Sequence, residues 1–524
     1  MCLGELDTPD EQNQPDRPIE RVRQSHPAIL GRLVMMNQFA VPPQLSPSPS
    51  LGQKATLKKQ AIRERFDQLA SEREFWQQRA SYYYNDQRRY LRFLIPEGLS
   101  ILEIGCGLGD QLAALKPRRG LGIDLSEAMV REASTRHPEL EFLVGDGEAL
   151  ALDETFDVIL LVDLVGHVLD VEATLKQLRH CCSPTTRVVI AYYNFLWEPF
   201  LGLLELVGLK MPQAEQNWLS PGDISNLLRL ADYEVVKAEW RLLMPLGIPL
   251  LSTIVNRLLA HLPGLNHLCL CHYVVARVRT IPTHKPQTVT VVIPCRNEKG
   301  NIESAIARLP SFGCHQEIIF VDGHSTDGTL DEIQRVIAQY PEKDITCLVQ
   351  GGKGKGDAVR KGFAYATGDI LMILDADLTM PPEELPKFYE AMVSGKGEFI
   401  NGSRLVYPME HEAMRYLNLL GNKFFSMAFS WLLGERIKDT LCGTKVLFRK
   451  DYERIAANRS YFGEFDPFGD FDLLFGASKL NLKILEVPIR YQERTYGTTN
   501  IHRFAHGWLL LKMTVFGFFR LKAV

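Results

Sequence analysis

The sequence predicts an α/β protein in which two doubly wound parallel sheets follow each other along the chain. The chain has 524 residues, more than a single hydrophobic core usually supports. Short apolar runs alternate with helix-length segments in two separate series, a pattern typical of parallel sheets covered by helices. The proline-bearing segment 280–287 separates the two series, so we place the domain boundary there.

The first series follows an N-terminal stretch, residues 1–55, that is rich in proline, serine and glutamine and is predicted to be a disordered tail. A polar helical pattern comes next. Strand-like runs then occupy residues 99–105, 121–124, 140–146, 156–163 and 187–193. We therefore expect a first domain at 56–280, a linker at 281–287 and a second domain at 288–503.

The composition is that of an ordinary globular protein, with 46% hydrophobic residues, 23% charged residues and a net charge of −4. This balance indicates no nucleic-acid partner. The N-terminus lacks the pattern of a secretory signal, and no stretch reaches the about 20 uncharged apolar residues that span a bilayer. The ten cysteines contain no C-x-x-C pair, so we expect reduced thiols in a cytoplasmic protein.

A glycine-rich loop, LEIGCGLGD, follows the first predicted strand directly. Gly105, Gly107 and Gly109 permit a sharp strand-to-helix turn and let backbone N–H groups approach a ligand closely. Asp110 stands where a dinucleotide-binding fingerprint needs glycine, which disfavours a pyrophosphate ligand. The next three strands end in acidic residues, namely Asp124, Asp146 and Asp163.

This set resembles class I S-adenosylmethionine-dependent methyltransferases over roughly residues 60–280. The resemblance implies a Rossmann-like fold with S-adenosylmethionine as cofactor. Asp124 would accept hydrogen bonds from the ribose hydroxyls, and Asp146 would lie near the adenine. The cofactor-binding residues that it implies are Glu103, Gly105, Gly107, Gly109, Asp124 and Asp146. The alternative is a Rossmann-like domain that has lost its ligand.

Methyl transfer to a hydroxyl needs a base beside the acceptor. His167 lies shortly after the fourth strand, and Tyr192 and Tyr193 end the fifth, so these are the candidates. An ordinary packed histidine is an equally good interpretation of His167. The apolar region 199–268 is either a lid over a hydrophobic substrate or part of a core.

The most informative stretch of the second half is GDILMILDADLT, residues 368–379. Side chains at i and i+2 of a strand share a face, so we expect Asp375 and Asp377 to project together. Two adjacent carboxylates repel each other unless a cation lies between them, and Mg²⁺ or Mn²⁺ holding a diphosphate is the usual one. The alternative is a surface turn with two solvated aspartates.

Three more motifs accompany this one: PCRNE at 294–298, Asp322 at the end of EIIFVD, and Lys355 in GGKGKGDAVRKG. Together they resemble family 2 glycosyltransferases of the GT-A fold, closest to the polyprenyl-phosphate type such as dolichol-phosphate mannose synthases. The resemblance implies a UDP- or GDP-linked sugar donor and a polyprenyl-phosphate or glycan acceptor. The donor-binding residues that it implies are Pro294, Glu298, Asp322 and Lys355.

Arg404 and Arg494 are candidates to fork onto phosphate oxygens of donor or acceptor. A phosphate acceptor needs no strong base, whereas a sugar hydroxyl would, with Asp472 or Asp470 as candidates. Either aspartate could instead cap a helix. Thr379 replaces a metal-binding glutamine that is common in this family, which leaves the donor and acceptor open.

Two segments suggest peripheral contact with the cytoplasmic face of a membrane. In residues 415–434, polar residues recur every four positions on an otherwise apolar helix, a pattern typical of a helix that is either buried in protein or laid in a bilayer interface. The C-terminal helix predicted at 504–524 has similar character, with Lys512, Arg520 and Lys522 able to meet lipid phosphates.

The sequence therefore predicts a bifunctional transferase: a methyltransferase followed by a metal-dependent, inverting glycosyltransferase that acts on a lipid-linked acceptor. One alternative moves the glycosyl acceptor to a soluble or protein-borne hydroxyl. Another makes the first domain a non-catalytic binding module.

Overall fold

Two seven-stranded sheets organise the chain, one in each half. The computed structural model describes residues 51–213, 216–279, 286–404, 416–461, 469–492, 494, 496–497 and 503–524. The expected tail lies outside these residues except at its end, where the first helix already begins at Leu51. Most of the expected linker, 281–287, also lies outside the described residues.

The first sheet has the strand order β3-β2-β1-β4-β5-β7-β6. The strands are β1 Ser100–Ile104, β2 Arg119–Asp124, β3 Glu141–Val144, β4 Phe156–Val162, β5 Cys182–Tyr193, β6 Tyr233–Arg241 and β7 Cys271–Val278. Strands β1 to β5 pair in parallel, as expected, but β7 is antiparallel to both β5 and β6. The prediction of a wholly parallel sheet was therefore wrong at this edge. We missed β6 because its sequence, YEVVKAEWR, mixes charged and apolar residues as a helix surface does.

The second sheet has the order β10-β9-β8-β11-β13-β12-β14. Its strands are β8 Thr288–Cys295, β9 His315–Asp322, β10 Asp344–Val349, β11 Ile370–Ile373, β12 Phe399–Ser403, β13 Lys445–Phe448 and β14 Ile484–Pro488. Strand β13 is antiparallel to its neighbours β11 and β12, so this sheet is also mixed rather than wholly parallel.

Helices connect the strands and cover the sheets. They are α1 Leu51–Arg79, α2 Ser81–Leu94, α3 Asp110–Ala114, α4 Glu127–Arg136, α5 Val171–Leu178, α6 Glu198–Leu206, α7 Pro221–Leu230, α8 Leu251–Arg257, α9 Ile302–Ala307, α10 Thr329–Gln339, α11 Lys355–Tyr365, α12 Leu385–Val393, α13 Tyr416–Leu433, α14 Arg449–Ala457, α15 Asp470–Lys479 and α16 Arg503–Gly517. Local sequence fixes several starts. Ser126 and Asp170 cap α4 and α5, and Ser220 forms a capping box with Asp223 at α7.

The two halves share a buried ion cluster. Arg187 on β5 and Arg277 on β7 both reach the carboxylate of Glu398, at 2.6 and 3.4 Å, and Glu398 also accepts the backbone N–H of Lys483 at 2.8 Å. Burial raises the pKa of Glu398, but the two arginines outweigh it and hold the pKa below its ordinary value. The cluster ties the first sheet to the residues around β12 and β14.

The C-terminal residues also pack on the first sheet. The Lys522 ammonium lies 2.5 Å from the Glu239 carboxylate of β6, and Arg241 donates to the Lys522 carbonyl at 3.0 Å. Lys522 is buried, so the prediction that it meets lipid phosphates was wrong; its charge is neutralised within the protein. The charges of β6 that obscured this strand in the sequence therefore serve the contact between the halves.

We predict that Glu398→Gln lowers the free energy of unfolding by about 3–5 kcal/mol, because it leaves the buried Arg187 without its counter-charge and leaves the buried Arg277 with Glu234 alone. Denaturant titration would measure this. Since the folded pKa is depressed, the stabilising effect should be complete above the unfolded pKa of about 4.3 and should be lost as the pH falls through the lower folded value.

The matched control is Glu383→Gln, because Glu383 forms an exposed ion pair with Arg308 and should contribute less than about 1 kcal/mol. Equal effects of the two substitutions would show that the cluster does not hold the halves together.

Candidate active sites

A pocket opens at the carboxyl ends of β1, β2 and β4 in the first half, where ligands of such sheets usually bind. Gly105, Gly107, Asp124 and Asp146 line it. The two glycines have positive φ angles of 73° and 53°, which explains the residue type at the turn after β1. The structure thus brings four of the residues expected to bind S-adenosylmethionine around one cavity.

Asp124 links the glycine loop to the end of β2. Its carboxylate accepts the backbone N–H of Gly107 at 2.8 Å and that of Ser126 at 2.9 Å. These two bonds fix the carboxylate at the pocket wall and leave it lone pairs for a ligand hydroxyl.

Glu103 and Gly109 were expected to contact the cofactor, but neither lines the pocket. Glu103 is buried beneath the loop, and burial raises its pKa to about 8. A Cβ at Gly109 would come within 2.6 Å of the Phe142 ring, so this glycine serves packing rather than ligand approach. Both residues shape the loop from behind.

Helix α1 closes one side of the pocket, which the sequence did not lead us to expect. Lys59, Phe66 and Arg73 contribute to the lining. The Lys59 ammonium bridges Asp146 at 2.5 Å and Glu148 at 2.8 Å. The acidic residue expected near the adenine is therefore held by a lysine of the covering helix.

His167 and Asp163 face the same cavity. Burial lowers the pKa of His167 to about 4, so its imidazole is neutral at pH 7. Asp163 has a strained φ of 54°; its Oδ2 accepts the Tyr83 hydroxyl at 2.8 Å, and its Oδ1 has no hydrogen-bond partner in the described part of the chain. Backbone strain and an unpartnered oxygen make Asp163 a candidate ligand contact, which the sequence marked only as a strand end.

The two tyrosines that end β5 differ in role. Tyr193 lines the pocket, whereas the Tyr192 hydroxyl donates to the Asn217 carbonyl at 2.5 Å. Tyr192 is therefore a packing residue.

The second candidate site lies at the carboxyl ends of β8, β9 and β11. Strand β11 ends at Ile373, and Asp375 and Asp377 occupy the turn that follows, closed by a bond from the Leu378 N–H to the Asp375 carbonyl at 3.2 Å. The prediction that Asp375 and Asp377 project from a strand was wrong, because β11 ends at Ile373, before both of them. Thr379 shapes the turn, since its hydroxyl donates to Asp377 at 2.8 Å.

Each carboxylate of the turn has its own cation. Lys355, at the first position of α11, lies 2.5 Å from Asp375, and Arg494 lies 2.6 Å from Asp377. Burial raises the pKa of Asp375, but Lys355, Lys445 and Arg404 together keep it below its ordinary value. Asp375 is therefore ionised at neutral pH, and the side chains of both aspartates are partly exposed.

Gly443 packs directly against the Asp375–Lys355 pair. A Cβ at this position would overlap Oδ2 of Asp375 and Nζ of Lys355 far inside contact distance. Only glycine lets the loop after α13 approach the pair, which ties the LCGT segment to the acidic turn.

Asp322 ends β9 beside Cys295 of β8. It is 3% exposed, and its Oδ2 accepts the Ser325 N–H at 3.1 Å. Its Oδ1 is buried without a hydrogen-bond partner in the residues that the structure describes. A buried oxygen of this kind is costly unless a ligand supplies a donor.

Family comparisons match each half separately. The model described as "Methyltransferase domain" matches residues 75–238, and the model described as "Glycosyl transferase family 2" matches residues 290–455. The chain joins a methyltransferase domain to a family 2 glycosyltransferase domain. The resemblance inferred from the motifs is confirmed, and so is the fold class of two α/β domains, with the antiparallel strands as the correction.

Individual relatives agree with this division. A dolichol-phosphate mannosyltransferase of Pyrococcus furiosus is 32% identical over 41% of this chain and 59% of its own length. An undecaprenyl-phosphate 4-deoxy-4-formamido-L-arabinose transferase of Aeromonas hydrophila is 36% identical over 20% of this chain and 34% of its own length. A solved S-adenosylmethionine-dependent methyltransferase of Thermotoga maritima is 22% identical over 42% of this chain and all of that one, with a TM-score of 0.33.

In the glycosyltransferase domain, three further expected residues lie at the site. Arg494 donates to Glu298 at 3.1 Å as well as to Asp377, so it bridges the PCRNE motif and the acidic turn. Glu298 is buried, and Asn301 donates to it at 2.7 Å. Pro294 lies on β8, one residue before Cys295.

Arg404 and Asp472 are engaged elsewhere. The Arg404 guanidinium grips Asp439 with two bonds of 2.7 and 2.8 Å, which occupies the fork that we expected on a phosphate. Asp472 is buried and pairs with Arg459 at 2.8 Å, so the prediction of a general base does not fit its surroundings. The side chain of Asp470 is outside the described residues. Arg404 and Asp472 therefore act as structural ion pairs in this geometry.

The acidic turn offers a divalent ion two hard carboxylate oxygens, which suit Mg²⁺ or Mn²⁺ when diphosphate oxygens and water complete the shell. In the described residues, no group of three or more acidic, histidine or cysteine side chains could hold a metal by itself. The donor set thus fits an ion that binds together with a substrate diphosphate.

We predict that Gly443→Ala abolishes sugar transfer with at most a small loss of stability, because the methyl group displaces Asp375 or Lys355. Turnover of a nucleotide sugar and a thermal melt would measure this. Gly421→Ala is the matched control, since a Cβ there meets no atom within 4 Å. Normal turnover of Gly443→Ala would show that the Asp375–Lys355 pair has no part in the reaction.

Proposed function

We propose that the chain is a bifunctional transferase. The methyltransferase domain would transfer a methyl group from S-adenosylmethionine, and the glycosyltransferase domain would transfer a sugar, with inversion, from a nucleotide sugar to a polyprenyl phosphate. The observation that supports the second activity most strongly is the placement of the vacant Asp322 oxygen and the acidic turn at one edge of the second sheet.

The site suggests a division of labour toward the donor. Asp322 would accept a hydrogen bond from the nucleoside, and Asp375 and Asp377 would hold Mg²⁺ or Mn²⁺. The ion would supply charge stabilisation for the departing diphosphate. Lys355 and Arg494 now neutralise the turn, and both are within reach of phosphate oxygens once an ion takes over that task.

In the transfer step, an acceptor oxygen forms a bond to the anomeric carbon while the bond from that carbon to the diphosphate breaks. The nucleoside diphosphate leaves with the electron pair. A phosphate acceptor is largely ionised near neutral pH, because its second pKa is about 6, and so needs no base. The pairing of Asp472 with Arg459 favours this acceptor over a hydroxyl. The names of the relatives, which mention dolichol phosphate and undecaprenyl phosphate, point the same way.

For methyl transfer, the acceptor atom attacks the methyl carbon and the bond from carbon to sulfur breaks, which leaves a thioether. Asp124 would hold the ribose hydroxyls. Asp163 and the neutral His167 face the same cavity and are the groups that could orient the acceptor or take its proton. Peripheral contact with the cytoplasmic face of a membrane would give both domains access to a lipid-linked substrate.

We predict that Asp377→Asn reduces metal-dependent sugar transfer at least about 100-fold, because the metal ion loses a carboxylate ligand and the leaving diphosphate is then less well neutralised by the ion. Its bonds to Thr379 should persist, so the thermal midpoint should change little. Chelation should abolish the activity of the unaltered protein, and Mn²⁺ should restore it. Asp331→Asn, an exposed change on α10, is the control. Retention of most activity in Asp377→Asn would refute the metal role.

We also predict that calorimetry detects S-adenosylmethionine binding that Asp124→Asn weakens at least about tenfold, since an amide has one acceptor oxygen where the carboxylate has two. Asp153→Asn, at an exposed position, should bind normally. Absence of binding at millimolar concentration would contradict the methyltransferase role, and binding without turnover on any acceptor would favour a non-catalytic module.

A further inference from the structure

The methyltransferase domain exposes an unusual number of large apolar side chains between β5 and β7. Leu206 is 84% exposed and Leu250 is 79% exposed. The others in segments 195–209 and 246–268 are Phe195, Leu196, Phe200, Leu203, Val207, Leu209, Leu246, Ile248, Leu251, Ile254, Leu258, Leu259, Leu262, Leu265 and Leu268. Within region 199–268, these side chains are therefore neither packed in a core nor covered by polar residues.

The glycosyltransferase domain continues this surface on α13 and α16. Ser426 and Ser430, part of the polar stripe of α13, turn inward and donate to the Ile437 carbonyl at 2.7 and 2.9 Å. The outer faces of the two helices and the turn after α16 expose Phe424, Met427, Trp508, Leu511, Val515 and Phe519.

Contacts join these segments both within and between the two domains. Within the methyltransferase domain, the Trp197 indole, just before α6, donates to the Leu268 carbonyl at 2.9 Å. The Trp431 indole of α13 donates to the His261 carbonyl at 2.6 Å and stacks on Phe518 with ring centroids 5.5 Å apart. We call the exposed apolar residues of 195–209, 246–268, 424–427 and 508–519 the apolar belt.

The charges near the belt are mainly positive. The two acids of the belt segments lie in 195–209, where Glu198 is exposed and Glu205 forms an ion pair with Lys210. Segments 246–268, 421–434 and 507–521 contain Arg257, Lys423, Lys512 and Arg520 but no aspartate or glutamate. All four cations are exposed, and none forms an ion pair within the described residues. A surface that combines exposed apolar residues with unpaired cations complements anionic lipid headgroups over acyl chains.

One segment of the belt is connected along the chain to the pocket of the methyltransferase domain. Helix α6 is bracketed in sequence by Tyr193 and Gln213, which both line that pocket. None of the described helices is long and apolar enough to cross a membrane. A contact with lipid through the belt would therefore be made by surface residues that lie in the interface.

We propose that the apolar belt docks the protein on the surface of an anionic lipid bilayer, and that the methyltransferase domain supplies the larger part of this contact. The inference deepens the proposed function and rests on it for one consequence: a lipid-borne substrate would reach both domains from one surface. A second copy of the chain is a poorer occupant, because a two-fold contact places the same patch against itself and brings cations against cations.

Vesicle co-sedimentation of the full chain tests this proposal. The protein should bind vesicles of phosphatidylcholine with phosphatidylglycerol, and salt should weaken the binding. The double variant Leu206→Glu/Leu250→Glu should bind at least about tenfold more weakly, because two highly exposed apolar anchors are lost. Arg257→Gln/Lys512→Gln should lose about fivefold per charge on these vesicles and little on pure phosphatidylcholine.

The matched control is Leu230→Glu, an exposed leucine of α7 outside the belt, which should bind like the unaltered protein. Equal binding of the Leu206→Glu/Leu250→Glu variant would overturn the proposal. So would a dimer in light scattering that this variant dissociates, with no vesicle binding by either form. Sugar transfer to a short prenyl phosphate in detergent, measured in parallel, separates loss of docking from failure of the proposed function.

Discussion

Ion pairs between distant segments place acidic side chains in both domains and at the contact between them. Lys59 neutralises Asp146 in the methyl-transfer pocket, and Lys355 and Arg494 neutralise the acidic turn of the glycosyltransferase domain. Between the domains, two arginines meet one glutamate. Between the domains, where Glu398 is buried, an unpaired charge would cost several kcal/mol.

The cations at the two sites and the arginines between the domains differ in how far they are exposed to solvent. The interdomain cluster is nine-tenths buried and complete, because Glu398 already has its arginines and a backbone N–H. The pairs at the sites stay partly open to solvent, and a ligand of suitable charge can exchange with them. When a donor binds in the glycosyltransferase domain, a divalent ion would pair with Asp375 and Asp377, and the diphosphate would pair with Lys355 and Arg494. The charges of the site would then be balanced both before and after donor binding.

Much of this could be predicted from the sequence, because strands that end in glycine or aspartate leave a clear pattern. Gly105, Asp124, Asp322 and Asp375 were all found from their places at strand ends. The sequence could not show that β6 is a strand, since its charged residues face the other domain. Nor could it show that Arg404 forms an ion pair with Asp439 and Asp472 forms one with Arg459. Such pairings join residues far apart in the chain. The covering role of α1 was missed for the same reason.

The central claim is that Asp375 and Asp377 hold a divalent ion together with a nucleoside diphosphate. Electron paramagnetic resonance of Mn²⁺ tests it most directly, since the signal of free Mn²⁺ falls as the ion binds. We expect weak binding of Mn²⁺ to the protein alone. When UDP or GDP is added, Mn²⁺ should bind much more tightly, after the Mn²⁺ that the nucleotide binds by itself is subtracted. Asp375→Asn should lose this increment. An increment that persists in this variant, or none in the unaltered protein, would contradict the account.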